Sequence, residues 1–426
     1  MRYSAVLNVV TSLNSSVAVR RSSRKKRLGA LDLIGVVAIL AWISLPAAAQ
    51  EARQKNADAE PGAGRFLQPI RGPRAAGPML APANSILAHA PTASFVAFTP
   101  GGKQLISGGT DSIVQVWDLQ TGNPVRPLAG HRAGVSGGAL SADGRLLVTG
   151  SWDQTLRTWQ VESGKTEKSL TGHTDAVNCV ALSPDSKTIA SGGNDLVFRL
   201  WNVELGKATF TSPEQTLPVN RIAISPDGKL VATGSGRVTD WRRPGEVKLW
   251  NPATGEELAL LPGHGACLNT VVFSPDGKQL ATGSAEGLLC VWDVAKRAEL
   301  LAINLGRGVR TILFIPDTEI LAIGQYPGSV YLWDLPTRRP IVSFTGHATP
   351  QAMVDHLALS PDGSLIASTG TDGMVYLWPV PEKTPDGKTR LRPMPAEGKP
   401  TAAEIVAKWS DPAPAGASGT KPDPKP

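Results

Sequence analysis

The chain has 426 residues, 44 of them glycine and 35 proline, with 41% hydrophobic and only 5% aromatic residues. That length allows a large core, and this balance argues against long helices and for many short strands joined by tight turns. The formal charge of +7 is misleading, because seven basic residues and one acid lie between Met1 and Ala49, which leaves 36 basic against 35 acidic residues elsewhere. A nucleic-acid partner is therefore not expected.

The first segment, residues 1–49, has the layout of an export signal. The basic run Arg20–Arg27 precedes an apolar stretch from Leu28 to Leu45, and Ala47 and Ala49 form the small-residue pattern a signal peptidase reads. Cleavage after Ala49 is expected, giving a periplasmic or extracellular protein; membrane contact arises only if the leader stays uncleaved as an anchor. Residues 50–84 are rich in proline, alanine and charge without an apolar period, and are expected to be a flexible linker.

From residue 85 to residue 380 the sequence repeats itself. Tryptophan recurs at Trp117, Trp159, Trp201, Trp250, Trp292, Trp333 and Trp378, in steps of 42, 42, 49, 42, 41 and 45 residues. Within the copy that starts at Gly172, alternating Val177, Cys179 and Ala181 predict one strand, Ser183-Pro-Asp185 a turn, Ile189 and Ser191 a second strand, and Leu196–Trp201 a third. The turn recurs at Ser225, Ser274 and Ser360, with proline and aspartate where a tight hairpin needs them. Repeated Asp-Gly at such positions reads as turn chemistry and not as calcium binding.

Copies of this length, with Gly-His near the start and Trp-Asp near the end (Trp117-Asp118, Trp292-Asp293, Trp333-Asp334), resemble WD40 repeats over about Ile86 to Val380. The resemblance implies an all-β fold, a seven-bladed β-propeller of four-stranded antiparallel blades, flanked by flexible N- and C-terminal segments. It also implies that the chain before the first blade supplies the outer strand of the last. Ile86 precedes His89 by three residues, as Leu128 precedes His131 and Leu170 precedes His173; the competing closure would use Lys388–Leu391.

By the same resemblance, a histidine, a serine or threonine, an aspartate and the tryptophan form a hydrogen-bonded relay in each blade. Complete sets are His89, Ser107, Asp111 and Trp117; His131, Thr149, Asp153 and Trp159; His173, Ser191, Asp195 and Trp201; and His347, Ser368, Asp372 and Trp378. The fifth copy has His264, Thr282 and Trp292 but Glu286 in place of aspartate. The fourth and sixth carry Gln215 and Leu305 at the histidine position and are expected to be less rigid.

Five of the six histidines are thus absorbed by the repeat, which leaves His356, beside Asp355, as the one free candidate for acid-base work. No nucleophile elbow, phosphate loop or metal-ligand spacing accompanies it, so no enzyme activity, cofactor or metal is expected. Cys179, Cys267 and Cys290 are odd in number, lack CxxC spacing and read as buried free thiols.

A propeller offers ligands its loop faces and channel mouth. In similar proteins, peptides often use the face of the Gly-His loops. With a three-residue shift allowed in the seventh copy, the position five residues after the histidine position is polar in every copy: Ser94, Ser136, Asn178, Asn220, Asn269, Arg310 and Asp355. Just before the aspartate position stand the aromatics Trp152 and Tyr326. The fourth copy adds an insertion, Gly234–Glu246, with Arg237, Trp241, Arg242 and Arg243, residues able to stack on and fork toward an acidic or aromatic group. The expected function is an extracytoplasmic scaffold that binds a protein or peptide on this face; the alternative is an enzyme, or a small-molecule or metal-binding protein, at the channel mouth. Residues 381–426 form a Pro/Ala/Gly-rich tail.

Overall fold

The computed structural model describes residues 70–71, 79–80, 84–237, 240, 243–347, 351–383 and 389–391. The leader and most of the tail lie outside them. Within the described residues the chain is all-β, and seven four-stranded antiparallel blades form a propeller. Period-two strands of four to seven residues, broken by Ser-Pro-Asp-Gly and Trp-Asp turns, give one blade per copy. The innermost strands are Ala93–Phe98, Val135–Leu140, Val177–Leu182, Val219–Ile224, Leu268–Phe273, Val309–Ile315 and Val354–Leu359, and each neighbours the next until the seventh meets the first.

Closure comes from the N-terminal side. Asn84–Leu87 pairs antiparallel with Met374–Pro379, with Ile86 opposite Val375, so the seventh blade is completed by the start of the repeat region. Thr389–Leu391, at the competing site, instead pairs with Pro381–Lys383 in a separate hairpin. The expected linker is not featureless. Ile70–Arg71 runs parallel to the outer strand Ala298–Asn304 of the fifth blade, and Met79–Leu80 parallel to Arg339–Thr345 of the sixth. Backbone pairing along an exposed strand edge needs no side-chain period, which is why an apolar pattern does not reveal it.

The hydrophobic core is divided into seven clusters, one between each pair of neighbouring blades. Each cluster holds one repeat tryptophan set against strands of the preceding blade; Trp201, for example, packs with Val148, Leu156 and Leu170. The close approach of blades depends on a glycine after the relay serine or threonine. A Cβ on Gly192 would lie 2.3 Å from a methyl of Val219 in the next blade, and one on Gly283 would lie 2.3 Å from Val309.

The Ser-Pro-Asp turns close the inner hairpins with a fixed set of bonds. Ser183 Oγ donates to Asp185 at 2.6 Å, and the same carboxylate accepts from the Lys187 amide at 3.0 Å. Asp227, Asp276 and Asp362 repeat the pattern, so these carboxylates are occupied by their own turns.

Candidate functional site

In four blades the polar residues form one directed chain of hydrogen bonds. The Trp117 indole donates to Ser107 Oγ at 2.8 Å, Ser107 lies 2.9 Å from His89 Nε2, and His89 Nδ1 lies 3.0 Å from Asp111. An indole only donates and a carboxylate only accepts, so the serine hydroxyl donates to Nε2 and the histidine carries its proton on Nδ1. The second, third and seventh blades repeat this through Trp159, Thr149, His131 and Asp153, through Trp201, Ser191, His173 and Asp195, and through Trp378, Ser368, His347 and Asp372. Burial alone would push the Asp195 carboxyl up, but the hydrogen bond from His173, with Arg199 at 2.7 Å, outweighs it and holds the pKa at about 2.

The remaining blades depart from the set in distinct ways. In the fifth, Trp292 donates to Thr282 and Thr282 lies 2.8 Å from His264 Nε2, but His264 Nδ1 is buried without a partner. Glu286, one methylene longer than aspartate, accepts from the Gly265 amide at 2.7 Å instead. Burial pushes the His264 pKa down to about 4. In the fourth, Trp250 still donates to Thr233, while both polar atoms of the Gln215 side chain are buried and unpartnered. The sixth loses the chain altogether. Ile323 occupies the serine position as well as Leu305 the histidine one, and the Trp333 indole N–H is left without an acceptor among the described residues. Counting ten residues back from Trp333 would have found Ile323.

The polar ring is at the Gly-His end of the channel. All seven ring positions are the extra residue of a β-bulge at the start of an inner strand, and the six other than Ser94 form a structural stitch. The bulge turns the side chain toward the following blade. Ser136 Oγ donates to the Val177 carbonyl at 2.6 Å, Asn178 to that of Val219 at 3.3 Å, and Asn269 to that of Val309 at 2.9 Å. Asn220 donates to Gly236 O at 2.9 Å and to Cys267 Sγ at 3.1 Å, and Arg310 pairs with Asp355 at 2.5 Å. Asn178, Asn220, Asn269, Arg310 and Asp355 thus join adjacent blades around the ring, with Asn269 itself buried.

The rim beyond the ring is different. Trp152 is 47% exposed, in the turn between second and third strands of the second blade, with its ring against Gly134. Ile113, in the same turn of the first blade, is 42% exposed, and Leu87, at the Gly-His end of the closing strand, is 68% exposed. Tyr326 is half-buried in the sixth blade. Arg237 and Arg243 are exposed in the inserted loop, whereas Trp241 and Arg242 lie outside the described residues. The opposite face carries shallow clefts between Ser-Pro-Asp turns, one lined by Pro184, Asp185, Pro226 and Asp227.

His356 follows the ring residue Asp355. Its Nδ1 has no partner, and burial together with the charge of Arg221 pushes its pKa down to about 4. No group of three metal-ligating side chains occurs among the described residues. Cys179, Cys267 and Cys290 are free and buried; burial pushes the Cys179 thiol up to about 12 and that of Cys267 up to about 11, so both are protonated and unreactive.

Comparison with known families agrees with this geometry. The family model for the WD domain, G-beta repeat, matches residues 82–118, 122–160, 164–202, 206–251, 255–293 and 338–379, more than half of the chain. The chain belongs to the WD40 repeat family. The matched units are offset from the blades, since 82–118 joins the closing strand of the seventh blade to three strands of the first. The stretch between residues 293 and 338 is unmatched, and it holds the first three strands of the sixth blade, where Leu305 and Ile323 stand at the histidine and serine positions. A search of the curated proteins found no match. WD40 domains generally mediate protein–protein interactions and are typically scaffolds, not enzymes.

Proposed function

We propose that this WD40 propeller is an extracytoplasmic interaction scaffold that holds a protein or peptide partner on the face of the Gly-His loops. The observation that carries the reading is the exposed apolar sector Leu87, Ile113 and Trp152, contributed by the seventh, first and second blades at one end of the ring. Large apolar side chains are costly to leave in water, and a half-exposed tryptophan braced on a glycine is a preformed anchor that loses little entropy on binding. Arg237 and Arg243 add cationic groups at the fourth blade of the same face, with Trp241 and Arg242 between them in sequence. Because the polar ring is spent on blade-to-blade bonds, recognition falls to this rim. Export is supported by the signal-like layout of residues 1–49.

The test is partner recovery by the full chain against Trp152→Ala and the paired change Trp241→Ala with Arg242→Ala. Reduced recovery by the variants with an unchanged melting temperature supports the face. Unchanged recovery by both removes it.

A further inference from the structure

The outer edges of the blades differ in what covers them. In the first, second, fourth, fifth and sixth blades the outer strand sets an apolar residue opposite the position three before the repeat tryptophan. Leu128 pairs with Val114, Leu170 with Leu156, Leu261 with Val247, Ile303 with Leu289 and Phe344 with Val330. All five are at most 3% exposed. At the fifth and sixth blades the free side of that strand is taken by a fifth, parallel strand from the linker, with Ile70 opposite Ile303 and Leu80 opposite Phe344. Both additions therefore set an aliphatic residue at the same place in the blade. The outer strands of the first four blades have no fifth strand among the described residues.

Three of those four open edges are guarded against pairing. Pro124 and Pro127 remove amide donors from Pro124–Leu128, and Lys165, Glu167 and Lys168 put charge along Lys165–Thr171. In the third blade Ser212, bonded to the Phe198 amide and followed by Pro213, stands where the others have an apolar residue. Glu257–Leu261 of the fourth blade has neither proline nor lysine. Its one charge, Glu257, pairs with Lys248 at 3.3 Å at the end away from Leu261, and Leu260 is 51% exposed. Pro262 closes the Gly-His end, so an added strand centres on Leu260 and Leu261, which correspond to Ser343 and Phe344 opposite Met79 and Leu80. We propose that the outer edge of the fourth blade is a docking site for an extended segment of a partner protein, which adds as a parallel fifth strand with an aliphatic residue opposite Leu261. The occupant follows from continuity, since the next two edges around the ring are covered in this way by an extended segment with an aliphatic residue at that place. This edge needs none of the residues assigned to the Gly-His face.

The probe is a synthetic peptide of residues 76–83 (AGPMLAPA) with a photoreactive methionine at position 79, irradiated with the full chain and mapped by mass spectrometry. A saturable adduct on Glu257–Leu261 is expected, exceeding that on the charged strand Lys165–Thr171 by about tenfold. Leu260→Lys, at a half-exposed position, should cut the adduct by about tenfold with an unchanged melting temperature. If that variant melts lower, the neutral change Leu260→Gln must reduce the adduct in its place. No adduct on Glu257–Leu261, equal adducts on both strands, or an undiminished adduct in the folded variant overturns the proposal. Light scattering of the chain alone decides the rival occupant. A monomer is expected, whereas a dimer that Leu260→Lys dissolves assigns the edge to a second copy and overturns the partner segment.

Discussion

Replacing Glu286 with aspartate should complete the fifth relay and stabilise the protein. His264 is 4% exposed and its Nδ1–H finds no acceptor, while in the second blade the equivalent Asp153 both accepts from His131 at 2.9 Å and takes the Arg132 amide at 2.9 Å. Glu286 instead accepts from the Gly265 amide at 2.7 Å and from Ser284 Oγ at 3.5 Å. Shortening it by one methylene, in a turn whose next residue already has positive φ as in the second blade (Gly287 at 89°, Gln154 at 69°), brings the carboxylate within reach of both donors. A buried unsatisfied donor costs about 1–3 kcal/mol, so Glu286→Asp should add roughly 1–2 kcal/mol and raise the melting temperature by roughly 2–4 °C. The same change has a pH signature. His264 has a folded pKa of about 4 against 6.5 in the unfolded chain, so the unfolded state binds more protons between those values and stability falls as pH drops through that window. An aspartate partner raises the folded pKa and flattens that loss. Calorimetric melting of both proteins at pH 7.5 and pH 4.5 decides it. A melting temperature that is unchanged or lower at pH 7.5, with the same acid loss, refutes the assignment of Glu286 as the defect.

Other outcomes follow from the same contacts. Ser368→Ala strips the acceptor from Trp378 and the donor from His347, both buried, and should cost about 2–4 kcal/mol by denaturant titration, whereas Ser94→Ala, outside any relay, should be near neutral. Gly192→Val should abolish soluble folded protein or lower its melting point severely, because its Cβ would collide with Val219 at 2.3 Å. Deleting residues 1–88 removes the closing strand Asn84–Leu87 and uncovers the edge of Met374–Pro379; light scattering should show association that a deletion of residues 1–49 does not. In the wild type, desolvated neutral His264 alone should withdraw about 3 kcal/mol between pH 6.5 and pH 4, a loss that His264→Gln reduces.

The fold was legible because the tryptophan spacing, the Gly-His starts and the Ser-Pro-Asp turns each mark the same unit, and Ile86 marked the closing strand by its distance from His89. The four complete relays were legible for the same reason. The role of the polar ring was not: a run such as Val177-Asn178-Cys179 shows a polar residue at a strand start, but not the bulge that turns it toward a carbonyl 41 residues away. The short strands at Ile70 and Met79 escaped notice because two residues carry no period.

The most direct test of the scaffold reading places a photo-crosslinking amino acid at position 152 in one protein and at position 229 on the opposite face in another, then irradiates each in its native extracytoplasmic extract. The account predicts a discrete protein adduct from position 152 and none from 229. Adducts from 229 alone, or the same adducts from both, contradict a partner held on the Gly-His face.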